Sequence, residues 1–306
     1  MRSVKALTIP GLLAILSCST TETAAIRRPG LENAHRLTEK VLSGAQPDGD
    51  AAFAELAALG VKTVISVDGS KPDLESAHRH GLRYVHLPIG YDGIPRERAL
   101  ELAKAIEELP GPLYVHCHHG QHRGPAAAVV ACVVAGRMTN EQALDAMKTL
   151  GTGPQYVGLW NSARDAAPAD RSALRSLEVD FRETARVPPL AEAMVHLDEA
   201  FDRLDRCRTQ GWAKPAGHPD LDPAHEALKC REICVELLRT EGFRARPDEF
   251  RALMEASRAA SERLEALLRS GAPADAGFEA LKKTCADCHR SYRNRPKQLR
   301  TPAFRN

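Results

Sequence analysis

The stretch "YVHCHHGQHRGPAAAVVACVV", residues 114–134, sets a thiol, Cys117, and a guanidinium, Arg123, at either end of a loop between an apolar strand and an apolar helix. A loop entering a helix N-terminus aims backbone N–H groups at one point, where the helix dipole also favours negative charge. Such a cradle fits a phosphate dianion, and the same field favours the nucleophilic thiolate form of a cysteine. A planar guanidinium can grip two phosphate oxygens at once. The candidate phosphate-binding residues are therefore His118, His119, Gly120, Gln121, His122 and Arg123. Three readings fit the side chains of His118, His119 and His122: they splay outward and only their N–H groups matter, they tune a highly charged substrate, or they gather a metal. The first is preferred, because a loop wrapped around phosphate turns its side chains away.

A second set of reactive residues lies near the other end. Cys285-Ala286-Asp287-Cys288-His289 has the spacing of covalent c-type haem attachment, with two thioether bonds on one helical turn and the adjacent His free to reach the iron. A redox dithiol or half of a zinc site would read similarly. Zinc would need two further ligands nearby, and no second CxxC is present.

A chain of 306 residues holds two ordinary domains, and its 43% hydrophobic and 27% charged fractions are those of a globular protein. A net charge of +2 gives no reason to expect a nucleic-acid partner. Arg2 and Lys5 followed by the apolar run from Ala6 to Leu16 form a targeting segment too short to span a bilayer. It runs into "ILSC", which resembles a bacterial lipobox ending at Cys18. Lipidation of Cys18 would make an exported lipoprotein, periplasmic and held at the inner or outer membrane of a bacterium only through its N-terminal lipid anchor. Plain signal cleavage is the alternative.

Elements must position these groups. Residues 1–18 are the signal peptide and lipobox, and residues 19–34 lack periodicity and read as a tether. From 35 to 165, "KTVISV" (62–67), "RYVHLPI" (83–89) and "PLYVH" (112–116) read as strands alternating with helical segments. That order predicts an α/β domain with a parallel-sheet core and flanking helices. "TNEQ" (139–142) is a capping box that opens one more helix. An Ala-, Pro- and Asp-rich turn of composition marks a linker over 166–186. Beyond it, apolar stripes recur every three or four residues: Leu190, Met194, Leu197, Phe201 and Leu204; Ala227, Cys230, Cys234 and Leu237; Phe250, Leu253, Ser257, Ala260, Leu264 and Leu267; Phe278, Leu281, Cys285, Cys288 and Tyr292. Four such stripes predict an all-α four-helix bundle over 187–296, followed by a basic tail, 297–306.

Both reactive sets resemble known families. His116-Cys117-x5-Arg123, in the order strand, His, Cys, central Gly120, Arg and helix, resembles the protein tyrosine phosphatase superfamily and its dual-specificity branch. The resemblance implies that Cys117 attacks phosphorus to give a phosphocysteine and that Arg123 with the loop amides holds the transferring group of a phosphoester substrate. It also implies a general acid in the loop after the strand that precedes the cysteine strand. Asp92 of "GYDGIP" occupies that place, with Asp68 at another strand end as its rival. One departure is Gly124, where the family has a Ser or Thr whose hydroxyl helps the thiolate leave. Likewise "CADCHRSYR" on the last of four helices is similar to the cytochrome c′ and c-556 family. That resemblance implies haem c carried by Cys285 and Cys288, His289 as proximal ligand, Met194 of the first helix as distal ligand or packing residue, and Arg293 near a haem propionate. Related bundles often form homodimers.

The combined expectation is an exported cysteine-dependent phosphatase fused to a c-type haem domain, under redox or gas control and served by a redox partner. The alternative is an electron-transfer or gas-binding cytochrome whose phosphatase-like domain holds an anion with little turnover. A rhodanese-like sulfur carrier is disfavoured by the loop length and by Arg123.

Overall fold

The computed structural model describes residues 23–215, 217–218 and 220–294. The leader with Cys18, and the tail from 297 onward, lie outside the described residues.

Six strands form one sheet in the order β1 (Ala24–Ala25), β2 (His35–Arg36), β3 (Val41–Ala45), β6 (Leu113–Cys117), β4 (Thr63–Ser66), β5 (Arg83–His86). The four strands from β3 to β5 run parallel, and the two short ones at the edge are antiparallel, so the sheet is mixed. Seven helices accompany it: α1 (Gly49–Ala58), α2 (Leu74–Arg79), α3 (Arg96–Glu108), α4 (Arg123–Val134), α5 (Asn140–Thr149), α6 (Val157–Arg164) and α7 (Arg171–Ser176). Two apolar cores result. Leu42, Phe53, Leu56, Val64, Tyr84 and Tyr114 fill one side of the sheet, while α3 and α4 close the other over Val41, Ile65, Val85 and Val115. The capping box at Thr139 is present.

The parallel register sets the geometry of everything that follows. Ser66 pairs with His116, and Ala45 pairs with Cys117. The ends of β3, β4 and β6 therefore lie side by side at the carboxyl edge of the sheet, where open α/β sheets bind ligands.

Two segments differ from the sequence reading. The stretch expected to be a tether contributes β1, and Leu31 and Ala34 are buried in the core. The segment 166–186, expected to be a linker, lies along the α/β unit: Lys104 donates to the carbonyls of Leu174 and Arg175, His86 donates its amide to Arg182, and Leu174 is buried. Neither segment carries an alternating apolar pattern, so only tertiary pairing reveals them.

The C-terminal part consists of α8 (Pro189–Thr209), α9 (Pro223–Arg239), α10 (Glu241–Arg244), α11 (Asp248–Ser270) and α12 (Asp275–Cys288), which passes into a π-helical turn, His289–Arg293. Helix α8 packs on α9, α9 on α11 and α11 on α12, whereas α8 and α12 make little backbone contact. The stripes face inward as read, with one exception: on α11 it is Met254 that is buried, and Leu253 is half-exposed. The described cysteines are all free thiols.

Burial of Leu174 on a segment outside any regular sheet or long helix is testable. Leu174→Ala should lower stability by about 2–4 kcal/mol, read as a fall in the denaturation midpoint. An unchanged midpoint would show that the segment does not pack on α3.

Candidate active site

The loop from Cys117 to Arg123 joins β6 to α4, and its carbonyls are tied down from outside. Gln46 donates its amide to the His118 carbonyl at 3.0 Å, and the Ala126 amide reaches that of His122 at 3.1 Å. Asn33 Nδ2 donates to Gly120 at 2.9 Å, and Thr152 Oγ1 to Gln121 at 2.7 Å. A trans peptide places C=O and the following N–H on opposite sides. Pinning these carbonyls outward therefore turns the N–H groups of His119, Gln121, His122 and Arg123 inward. Gly120 makes the bend possible: its φ is +66°, and a Cβ there would lie 2.2 Å from the Ala45 amide nitrogen. The cysteine lies at the base of this cradle and is buried.

Charge in the cradle is concentrated on Asp68, at the end of β4 and fully buried. Its Oδ2 accepts from the Arg123 guanidinium at 2.9 Å and from the His118 amide at 2.6 Å, while Oδ1 accepts from the Gly69 amide at 2.5 Å. Burial alone would raise the Asp68 carboxyl. The charge of Arg123 and the two amide hydrogens outweigh it and hold the group below the usual carboxylate range. Asp68 is thus an ionised carboxylate bound to two donors of the kind a phosphate oxygen would use.

Asp92 stands elsewhere. Its carboxylate folds over Gly90, and its carbonyl approaches Gly158 so closely that a Cβ there would be 2.1 Å away. The preceding residue ties this loop to the cradle, since the Arg123 guanidinium lies 4.4 Å from the centre of the Tyr91 ring. Arg293 lies 4.4 Å from the same ring, and its Nη2 donates to Tyr156 Oη at 3.1 Å. Burial pushes the Tyr91 phenol up to about 12.

The three loop histidines go different ways. His122 packs against Tyr156 with ring centres 4.3 Å apart and accepts from the Gly153 amide. Burial and the neighbouring Arg293 push it down to about 4, so it is neutral. His118 and His119 turn toward α8: His118 Nε2 is 3.2 Å from Asp202, and His119 Nε2 is 3.7 Å from Asp198. A Cβ at Gly69 would lie 3.5 Å from Val187, just before that helix, and within 3.7 Å of Ala191 and Val195 on it. The first turns of α8 therefore lie across the mouth of the cradle.

The second set of residues gathers in the helical unit. Met194, Cys288 and Tyr292 pack on one cluster with Phe250 and Met254, and Cys285 borders the adjoining one. His289 is pushed down to about 3 by burial and by the charge of Arg293, which leaves a neutral imidazole. Two free half-buried thiols, a neutral imidazole and a thioether, with Met194 and Cys288 on one cluster, are a donor set that fits haem c. Arg293, expected beside a propionate, lies against Tyr91 and Tyr156. Asp198, Asp202, Tyr91 and Tyr156 escaped the sequence reading, and only the acidic i, i+4 spacing of the first pair offered a signal.

No protein-family model matches the chain. The dual specificity protein phosphatase TpbA of Pseudomonas aeruginosa (strain UCBPP-PA14) is 31% identical over 207 residues, covering 64% of this chain and 85% of the relative. Among solved structures, P. aeruginosa TpbA is 25% identical with a TM-score of 0.42 over 51% of this chain and 96% of its own. The core catalytic domain of the PP-IP phosphatase SIW14 from S. cerevisiae is 14% identical with a TM-score of 0.41 over 47% of this chain and 90% of its own.

The position of Asp68 carries a prediction. Unit charges about 4 Å apart interact by about 4 kcal/mol at an effective dielectric constant of about 20. Asp68→Asn should therefore tighten inhibition by orthophosphate at least about tenfold. Weaker inhibition would show that the carboxylate serves mainly to hold Arg123 in place.

Proposed function

The chain belongs to the dual-specificity protein phosphatase family and is a phosphoric monoester hydrolase, and we propose that it works through a phosphocysteine at Cys117 while its helical part carries haem c. The observation that supports the first half is the cradle: four loop carbonyls pinned outward after a buried thiol, with Arg123 at the far end of the loop bonded to Asp68. Cys117 Sγ attacks phosphorus, the P–O bond to the leaving group breaks, and Arg123 with the inward amides holds the three equatorial oxygens. Water then displaces Cys117 from phosphorus and releases phosphate.

A proton must reach the leaving oxygen. Asp68 is poorly suited to give one, since Arg123 and two amides keep it ionised. Asp92 takes this role, on a loop whose Tyr91 already touches Arg123. The missing hydroxyl at Gly124 leaves departure of the thiolate unassisted. A Cβ there would stand 3.4 Å from Cys117 Sγ and 3.0 Å from its amide nitrogen, so the position is a tight one. Slow breakdown of the phosphoenzyme follows from that.

The helical part reads as a four-helix bundle with Cys285 and Cys288 as thioether anchors, His289 as proximal ligand and Met194 on the distal side. Bound there, haem c would supply one-electron chemistry or a site for a small gas. The chain's own contribution would be to present His289 as a neutral imidazole, with Met194 on the cluster that also takes Cys288. The leader and Cys18 support an exported, lipid-anchored protein with a phosphoester substrate and a redox partner.

Two experiments test these halves separately. Cys117→Ser should abolish phosphoester hydrolysis, and Asp92→Asn should lower kcat by about 10²–10³ for alkyl phosphates. That loss should shrink for leaving groups that need no proton, and an equal loss for every leaving group would remove Asp92 as the acid. For the second half, protein matured in a host that makes c-type cytochromes should keep its haem through acid–acetone extraction. Cys285→Ala with Cys288→Ala should lose it, and a wild-type protein without extraction-resistant haem would refute the assignment.

A further inference from the structure

We propose that His118 and His119 of the phosphate loop and Asp198 and Asp202 of α8 form a zinc-class divalent metal site that clamps the helical part onto the α/β unit. The ligand atoms of His118, His119 and Asp202 all lie within 4.8 Å of one another. His118 Nε2 is 3.2 Å and His119 Nε2 3.8 Å from Asp202 Oδ2, and Asp198 Oδ2 is 3.7 Å from His119 Nε2. A tetrahedral zinc ion with bonds of about 2.0–2.1 Å separates its ligand atoms by about 3.3 Å. The observed spacings need only small rotations of side chains that are partly solvent-exposed.

The local structure explains why His118, His119 and Asp202 converge, with Asp198 beside His119. Asp198 and Asp202 are spaced i, i+4, so they stand one above the other on a single face of α8. Adjacent side chains on the loop turn outward because its amides turn inward, which sends His118 and His119 to that face together. The two imidazole rings sit 4.4 Å apart at 66° to each other. Two imidazoles with two carboxylates form a nitrogen and oxygen set suited to zinc and its neighbours rather than to calcium or magnesium. Partial exposure of all four side chains leaves the ion a route in.

Simple ion pairing would produce similar distances, and metal uptake separates the two. The site is independent of both the hydrolase and the haem assignments, so the test reads neither activity nor colour. Full-length protein stripped with chelator is dialysed against micromolar zinc, and bound zinc is counted by elemental analysis. Wild type should hold one equivalent more than Asp198→Asn/Asp202→Asn. Asp205→Asn on the same helix should match wild type, and Cys117→Ser should also match it. Equal uptake by wild type and the double variant overturns the proposal. So does loss of that equivalent in Cys117→Ser, which would place the ion on the thiolate. Should the double variant lose its helical circular dichroism, Asp202→Asn alone should weaken zinc binding at least about tenfold by calorimetry, and unchanged affinity there overturns the proposal equally.

Discussion

A buried carboxylate has to be compensated, and in this molecule the compensation of Asp68 organises the reactive edge of the sheet. An isolated charge at full burial is costly unless it is paired and hydrogen-bonded. Asp68 is supplied with the Arg123 guanidinium and the amides of His118 and Gly69. Those bonds join the end of β4 to both ends of the loop after β6. They hold the guanidinium at the end of β4, and they place negative charge beside the loop amides. The remaining features of the cradle, from the outward carbonyls to the strained bend at Gly120, keep the amides pointed inward.

The reactive loop was legible in the sequence because its chemistry is local. Cys117, Gly120 and Arg123 lie within one turn between a largely apolar strand and an Ala- and Val-rich helix, and the structure keeps that order. Asp68 read only as a rival general acid, since its role as partner of Arg123 comes from the pairing of Ser66 with His116 across two strands. The strand β3, with Ser43 and Gly44 at its centre, carries too little β-branched signal to be read alone. The aromatic clamp around Arg123 was hidden for a related reason. Tyr91, Tyr156 and Arg293 are far apart along the chain, and no spacing rule links them.

Amphipathic periodicity gave the four long helices of the C-terminal part, but not the short α10 or the position of every inward side chain. Leu253 and Met254 are adjacent, both apolar and about 100° apart around the helix axis, so the choice between them belongs to the neighbouring helices. The acidic face of α8 reads in isolation as an ordinary solvated surface. Only its approach to His118 and His119 gives Asp198 and Asp202 a partner.

Two guanidinium groups lie against the Tyr91 ring, one from the loop that grips anions and the other from the turn that follows Cys288. Two like charges held against a single aromatic ring feel each other. Neutralising one relaxes the repulsion on the other. Thermodynamic linkage makes such an influence mutual, with the same factor in both directions. A negatively charged group settling against either cation would therefore be felt, in equal measure, at the other.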